Sequence, residues 1–220
     1  MSQPAPFLAS SIGRKVIMAV TGLILFGFVI GHLVGNLQVY QGPEKLNHYG
    51  ELLRKFGPLL WTARIVLLVA VGLHIWAAYS LTRSNRRARR IGYDSFTPQA
   101  STYASRTMRW SGVLILLFVV YHLLHFTFGS HVVHPDFIHG DIYHNFIVGF
   151  QNPLVSFFYI VSMLALGLHL YHGAWSTLQT MGASYPALDR VRRGLAGAIA
   201  ALIVLGNISM PVAVLAGWLK

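Results

Sequence analysis

Five long runs of apolar residues constrain this chain more than any other feature. They cover residues 16–37, 59–82, 108–129, 153–178 and 194–218. Each is close to the roughly 20 residues that an α-helix needs to cross a bilayer. A composition that is 55% hydrophobic and only 10% charged is typical of integral membrane proteins. The sequence therefore predicts an all-α integral membrane protein with five transmembrane helices in one domain, residues 1–220.

The segment between the first two runs, residues 38–58, is polar and differs in pattern. Leu46, Tyr49, Leu53 and Phe56 recur at helical spacing within it. This pattern predicts an amphipathic helix that lies in the membrane interface and does not cross the bilayer.

Basic residues are distributed unevenly between the two sides of the predicted bundle. Twelve of the 17 Lys and Arg residues lie on the side of the N-terminus. They are Arg14, Lys15, Arg83, Arg86, Arg87, Arg89, Arg90, Arg106, Arg109, Arg190, Arg192 and Arg193. The positive-inside rule then predicts a cytoplasmic N-terminus and a C-terminus outside. The net charge of +11 is thus explained by membrane orientation and by contact with anionic lipid headgroups. For residues 83–90, docking of a cytoplasmic partner is a sharper alternative. Nucleic acid is not an expected partner.

Two absences narrow the possible functions. The chain has no cysteine, which excludes iron–sulfur clusters and thiolate metal sites that need sulfur ligands from the protein. All six carboxylates fall outside the apolar runs, whereas proton and sodium transporters usually need an acid at membrane depth. They are Glu44, Glu51, Asp94, Asp136, Asp141 and Asp189.

Histidines occur in four of the five apolar runs, where an imidazole at membrane depth is by default a functional-site hypothesis. Depth in the membrane is estimated by counting residues from the cytoplasmic end of each run. By this count His32 and His122 fall toward the outer half of the membrane. His74 and His172 fall toward the cytoplasmic half. Two histidine pairs at two depths, each on different helices, are what a four-helix bundle needs to hold two haem irons by bis-imidazole ligation. The alternative is that each histidine only hydrogen-bonds a neighbouring helix, as in a haem-free transporter or structural membrane protein.

A glycine stripe and a histidine-rich loop each allow a structural interpretation as well as a functional one. Gly27, Gly31 and Gly35 form a stripe that favours close helix packing over cofactor clearance. The outer loop carries His131, His134, His139 and His144, with Asp136 and Asp141. That set includes zinc-ligand types, but a solvated loop is the more typical reading.

The fourth run contains two histidines, and the sequence favours the second. His169 and His172 are three residues apart, so they project about 60° from each other on one helix. His172 matches His74 in depth and is followed by Gly173, where a bulky side chain would crowd a macrocycle. His172 is therefore the predicted ligand, and His169 a residue behind the ligand or in helix packing.

The chain resembles the di-haem, five-helix cytochrome b subunits of succinate:quinone oxidoreductase, or complex II, and of quinol:fumarate reductases. The resemblance covers nearly the whole chain. It rests on His74 and on the segments SIGRK at 11–15, MAVTG at 18–22, GHLVGNL at 31–37, YHLLHF at 121–126 and HLYHGAWS at 169–176.

The resemblance implies a non-succinate-binding membrane subunit of a succinate dehydrogenase (quinone) complex in the bacterial inner membrane. Its partners would be a flavoprotein subunit, an iron–sulfur subunit, a membrane quinone and the lipid bilayer. Its cofactors would be two haems b. In some relatives an acidic residue beside the fourth-helix ligand serves proton uptake, but the matching residue here is Leu170, so the resemblance does not carry that route.

The resemblance also implies which histidines hold the haem irons. His74 would pair with His172 near the iron–sulfur side, and His32 with His122 near the opposite face. Depth alone fits His125 as well as His122, and the resemblance favours His122.

Further donors are expected around the haem propionates or a quinone carbonyl. Ser10, Ser11, Arg14 and Lys15 are the candidates at the cytoplasmic end, and Asn36 and Arg64 at the outer end. A di-haem cytochrome b subunit of a hydrogenase or formate dehydrogenase is the nearest alternative function.

Overall fold

A computed structural model of the chain describes residue 7 and residues 10–88, 101–182 and 185–220. Within that part of the chain all regular elements are helices. The α-helices are α1 (Ser11–Asn36), α2 (Pro43–Lys55), α3 (Gly57–Ala88), α4 (Tyr103–His122), α5 (Ile142–Gln151), α6 (Pro153–Thr180) and α7 (Asp189–Leu215). Short 3-10 helices cover Leu37–Gln41 and Pro186–Leu188, and a π-helix, Leu123–Thr127, extends α4.

Five helical segments are long and apolar enough to cross a membrane, which confirms the predicted all-α, five-helix fold. They are Ser11–Gln41, Gly57–Ala88, Tyr103–Thr127, Pro153–Thr180 and Pro186–Leu215. Most of their side chains are at least partly exposed, as helix surfaces in contact with lipid require. Of the residues used in the sequence analysis, Arg89, Arg90 and Asp94 lie outside the described residues.

Local sequence explains where the spanning helices begin. The Ser10 hydroxyl accepts from the Gly13 N–H at 3.0 Å and caps α1. The Thr102 hydroxyl caps α4 by accepting from the Ser105 N–H at 3.1 Å. Asn152 caps α6 immediately before Pro153, whose fixed φ suits the first helical position.

The spanning helices pack in pairs. α1 packs against α3, α4 packs against α6, and α7 covers another face of α6. The start of α1 lies beside the end of α3, where Arg14 Nη1 donates to Ser84 Oγ at 2.9 Å. This end of the bundle, which also carries Arg86 and Arg87 at the end of α3 and Arg106 and Arg109 near the start of α4, is called the basic end.

The opposite end is covered by the short helices α2 and α5 and is called the capped end. The amphipathic helix expected in residues 38–58 is present as α2, and its Leu46 is 2% exposed. The outer loop predicted to carry His131, His134, His139 and His144 is not all loop, because its last part forms α5. α5 buries Phe146, Ile147 and Phe150 in the apolar core. Its ten residues are too few for a periodic pattern to be distinguished from the neighbouring loop.

Candidate functional site

Histidines connect the two packed helix pairs across the bundle. His32 is on α1 and His122 on α4, while His74 is on α3 and His169 on α6. Each ring contact therefore joins a helix of the α1/α3 pair to a helix of the α4/α6 pair. The spanning helices thus bring imidazoles together at two places in the interior.

The pair nearer the capped end is His32 and His122, called the upper pair. Their ring centroids are 5.7 Å apart and the ring planes are nearly perpendicular, at 88°. Phe28 stacks on His32 at 5.2 Å, and Phe118 lies 5.6 Å from His122. His122 Nδ1 lies 3.3 Å from the hydroxyl of Tyr159. The Nε2 side of His122 is thereby left for another partner.

The pair nearer the basic end is His74 and His169, called the lower pair. Their ring centroids are 6.2 Å apart. His74 Nδ1 lies 3.1 Å from Thr21 Oγ1, and His169 Nδ1 lies 3.4 Å from Ser111 Oγ. A hydroxyl on Nδ1 is the kind of contact that fixes the ring orientation of a metal-ligating histidine. The Nδ1 atom of each ring is thus contacted by a hydroxyl of another helix.

The two pairs are separated along the bundle by a consistent distance. On α1, Thr21 contacts the lower pair and lies eleven residues before His32 of the upper pair. On α4, Ser111 contacts the lower pair and lies eleven residues before His122. On α6 the interval from Tyr159 to His169 is ten residues. At 1.5 Å of rise per residue, these intervals each correspond to about 15–17 Å. Three helices therefore give the same spacing.

His172, the ligand predicted on α6, lies three residues beyond His169 on the same helix. The imidazole of α6 in ring contact with His74 is that of His169. The His172 ring lies 5.8 Å from Trp175, and its Nδ1 is buried without a hydrogen-bond partner. The physical reason is the 60° rotation between the two positions, which turns one side chain toward α3 and α4 and the other away from that contact. The ring contact therefore favours His169 over His172 as the partner of His74 in this structure.

His125 lies close to the upper pair but does not form it. Its side chain is 1% exposed, and its Nδ1 lies 3.0 Å from the Tyr159 hydroxyl. A Cβ built on Gly149 would lie 2.9 Å from His125 Cε1, so α5 packs directly against this ring. The ring that faces His32 belongs to His122, which agrees with the preference for His122.

The donors expected at the basic end serve the helix ends. Ser10 caps α1 and also donates to the Phe7 carbonyl at 2.6 Å. Arg14 bonds Ser84, while Ser11 and Lys15 are exposed in the first turn of α1. No cofactor contact of these residues follows from this geometry.

The two donors expected at the outer end, Asn36 and Arg64, differ in burial. Asn36 is the half-buried last residue of α1. Arg64 is exposed near the start of α3, with its guanidinium 5.1 Å from the centre of the Trp61 ring. These two residues remain candidates from sequence alone.

The outer histidines do not converge on a metal. No group of three or more His, Cys, Asp or Glu side chains suited to a metal occurs among the described residues. His131 Nδ1 contacts the Pro135 carbonyl, and His144 Nε2 contacts the Asp136 carbonyl. His134 is 2% exposed and its Nδ1 lies 3.1 Å from the His125 carbonyl, so it is a core residue and not part of a solvated loop.

The glycines of α1 also differ from the packing prediction. Of the three glycines in the predicted stripe, Gly35 is the one in close contact, because an added Cβ there would lie 2.5 Å from the Tyr49 hydroxyl of α2. A Cβ on Gly27 or Gly31 would meet no atom within 4 Å. Helix packing within this chain thus does not explain those two positions. A different glycine of α1, Gly22, lies against His74, 3.3 Å from its Cε1.

Three hydroxyl residues that contact histidine Nδ1 atoms are absent from the sequence-based prediction. They are Thr21, Ser111 and Tyr159. A signal was present for two of them, because Thr21 and Ser111 precede His32 and His122 by three helical turns on the same helices. Tyr159 carries no such signal, since its contact with His122 depends on how α6 packs against α4.

The residues present suit a bis-histidine haem better than another metal site. The chain provides imidazoles in facing pairs, and it has no thiolate ligand. Gly22 and Gly112 lie beside His74 and His169, where a Cβ would approach Cε1 to 3.3 and 3.9 Å. Small residues at these points leave the rings room that a larger side chain would fill. The fit to two haem irons is therefore supported by ring pairing, hydroxyl contacts and local space.

Comparisons with known proteins add an independent finding. A family model described as the succinate dehydrogenase/fumarate reductase transmembrane subunit matches residues 81–208. The match includes the histidines of α4 and α6 and excludes those of α1 and α3. No curated protein and no solved structure matches the chain.

Proposed function

The chain belongs to the family of succinate dehydrogenase/fumarate reductase transmembrane subunits, and on this premise we propose that it is a di-haem cytochrome b anchor. In this role it carries electrons between the iron–sulfur subunit of the complex and a membrane quinone. The succinate chemistry takes place on the flavoprotein partner. The chain is thus a membrane subunit of the enzyme complex and not its dicarboxylate-binding part.

The single observation that carries the proposal is the presence of two facing histidine pairs at two depths of the bundle. His32 and His122 are the proposed ligands near the capped end. His74 and His169 are the proposed ligands near the basic end. Haem held by two imidazoles has no open iron position and supplies reversible one-electron transfer.

The protein contributes binding, orientation and exclusion of water. Thr21 and Ser111 orient the imidazoles of the lower pair through Nδ1. α2 and α5 cover the capped end, where buried Val39, Leu46 and Phe150 exclude water. Because a fixed ring orientation maintains the ligand geometry, these contacts favour retention of the cofactor.

The soluble partners are proposed to dock at the basic end. This end has clustered arginines, whereas the short helices α2 and α5 cover the capped end. Under the positive-inside rule it faces the cytoplasm of a bacterial cell. The flavoprotein and iron–sulfur subunits would then lie on the cytoplasmic face of the inner membrane.

Purification of the membrane complex tests this function. We expect a reduced-minus-oxidised spectrum with a b-type α band, and a pyridine haemochrome assay that gives two haems per chain. A flavin-bearing subunit and an iron–sulfur subunit should copurify. His139→Ala, an exposed loop substitution, serves as a control that keeps both haems.

Each alternative predicts a different result. A chain without any haemochrome would be a transporter or structural protein, and the proposal would be wrong. A copurifying hydrogenase or molybdenum subunit would assign the chain to another respiratory enzyme.

A further inference from the structure

Tyr159 of α6 holds its hydroxyl between two imidazoles of the helix opposite. Its oxygen is 3.3 Å from His122 Nδ1 and 3.0 Å from His125 Nδ1. The side chain is 5% exposed, so no bulk water competes for these contacts. We propose that Tyr159 is a positioning residue that sets the reduction potential of the haem bound by His32 and His122. This inference rests on the proposed function.

The number of protons fixes the direction of the two hydrogen bonds. A hydroxyl has one proton to donate, so it cannot donate to both Nδ1 atoms. An imidazole that binds a metal through Nε2 carries its proton on Nδ1. His122 therefore donates to the Tyr159 oxygen, and the Tyr159 O–H donates to His125 Nδ1. The shorter distance, to His125, is the one assigned to the O–H donor.

His125 keeps the Tyr159 hydroxyl in this direction because it is itself held in place. It lies in the π-helix Leu123–Thr127, whose extra residue per turn lets His122 and His125 approach the same hydroxyl. The His134 Nδ1–H donates to the His125 carbonyl, and Gly149 packs against the His125 ring. His125 thus acts as a fixed acceptor that leaves the Tyr159 lone pairs for His122.

The aromatic cluster around Tyr159 restricts its ring. Phe118 and Phe150 contact it edge-on at 5.1 and 4.9 Å between ring centroids. An acceptor fixed on the Nδ1–H of a ligand makes that imidazole more basic. A more basic ligand stabilises the oxidised iron more than the reduced iron. The Tyr159 contact therefore lowers the potential of this haem.

Redox titration of the purified complex with Tyr159→Phe tests the inference. The midpoint potential of one haem should rise, by about 59 mV if the equilibrium between its oxidised and reduced forms changes tenfold. The other haem should keep its potential. The g-values of the shifted haem should change in the electron paramagnetic resonance spectrum, a signature that a purely structural role would not move.

Tyr121→Phe is the matched control. Tyr121 belongs to the same aromatic cluster, with its ring centroid 6.1 Å from that of Tyr159. Its hydroxyl makes none of the hydrogen bonds found to the histidines, so its loss should change neither potential. Ser111→Ala should instead shift the haem of His74 and His169, because Ser111 contacts His169 Nδ1.

A second variant covers the case in which Tyr159→Phe does not assemble. Replacement of Tyr159 by 3-fluorotyrosine keeps the shape but weakens the oxygen as an acceptor, and should raise the same potential by a smaller amount. Two unchanged potentials in a di-haem complex would overturn the inference and leave the proposed function intact. A wild-type complex without haem would instead overturn the proposed function.

Discussion

His169 and His172 differ by three residues on one helix, and this small difference decides which imidazole faces His74. The Ser111 hydroxyl of α4 contacts His169 Nδ1 at 3.4 Å, and the His169 ring faces that of His74. His172 lacks both contacts and packs near Trp175. At the residue scale, contacts from other helices therefore distinguish His169, the proposed ligand, from His172.

Alanine substitutions of the lower histidines test this selection. We expect His74→Ala and His169→Ala to remove the same haem, because each deletes one side of the same pair. His172→Ala should retain it. The measurement is the haem-to-protein ratio, with redox titration identifying which haem is lost. Loss of that haem in His172→Ala but not in His169→Ala would restore the assignment made from sequence.

Gly149 allows a second prediction at the residue scale. An alanine Cβ there would lie 2.9 Å from His125 Cε1 and 3.2 Å from Phe126 Cζ. Overpacking of this kind costs about 1–3 kcal/mol. Gly149→Ala should therefore lower the melting temperature in detergent. Gly194→Ala on α7 is the control, because its Cβ would meet no atom within 4 Å and the substitution should be neutral or stabilising.

Helix α5 shows how one side chain can stabilise an element that the sequence pattern does not reveal. Asp141 caps α5 by accepting from the His144 N–H at 3.0 Å. The same carboxylate accepts from Asn47 Nδ2 at 3.0 Å and so joins α5 to α2. These contacts, led by the His144 N–H, lower the pKa of Asp141. The cap at this end of the bundle is therefore strongest when Asp141 is ionised.

The loss of this cap is expected to be measurable. Asp141→Ala should cost about 0.5–2 kcal/mol, the usual value for a lost helix cap. Because the folded pKa is lowered, the stabilisation is present above the unfolded pKa and is lost as the pH falls through the folded pKa. Melting temperatures measured across acidic pH should thus decline less steeply in Asp141→Ala than in the wild type.

Asp136→Ala provides the control at the same end. Asp136 is exposed, and its backbone carbonyl, not its carboxylate, contacts His144. Its substitution should leave the melting curve unchanged. An equal loss in both variants would mean that general loop charge, and not the α5 cap, is responsible.

At the scale of the whole molecule, the bundle has two different ends. The basic end carries clustered arginines, whereas α2 and α5 cover the other. The positive-inside rule then predicts that the basic end faces the cytoplasm. The haem pairs of the proposed function would lie one near each membrane face.

The absence of cysteine makes this orientation directly testable. Ser101→Cys introduces a label site at the basic end, and Val132→Cys one at the capped end, where Val132 is 91% exposed. An impermeant maleimide should label Cys at 132 in right-side-out vesicles and Cys at 101 in inside-out vesicles. The reverse pattern would show that the positive-inside assignment is wrong. The cysteine-free wild type sets the background.

The sequence by itself determined the number and type of helices and the presence of histidines within them. Apolar length is a local property, and a chain in lipid must satisfy its backbone hydrogen bonds within each helix. Only the tertiary structure decided that His169 faces His74, that Tyr159 lies behind His122, and that α5 forms at all. These features depend on the rotation of one helix against another and on packing partners that are distant in sequence.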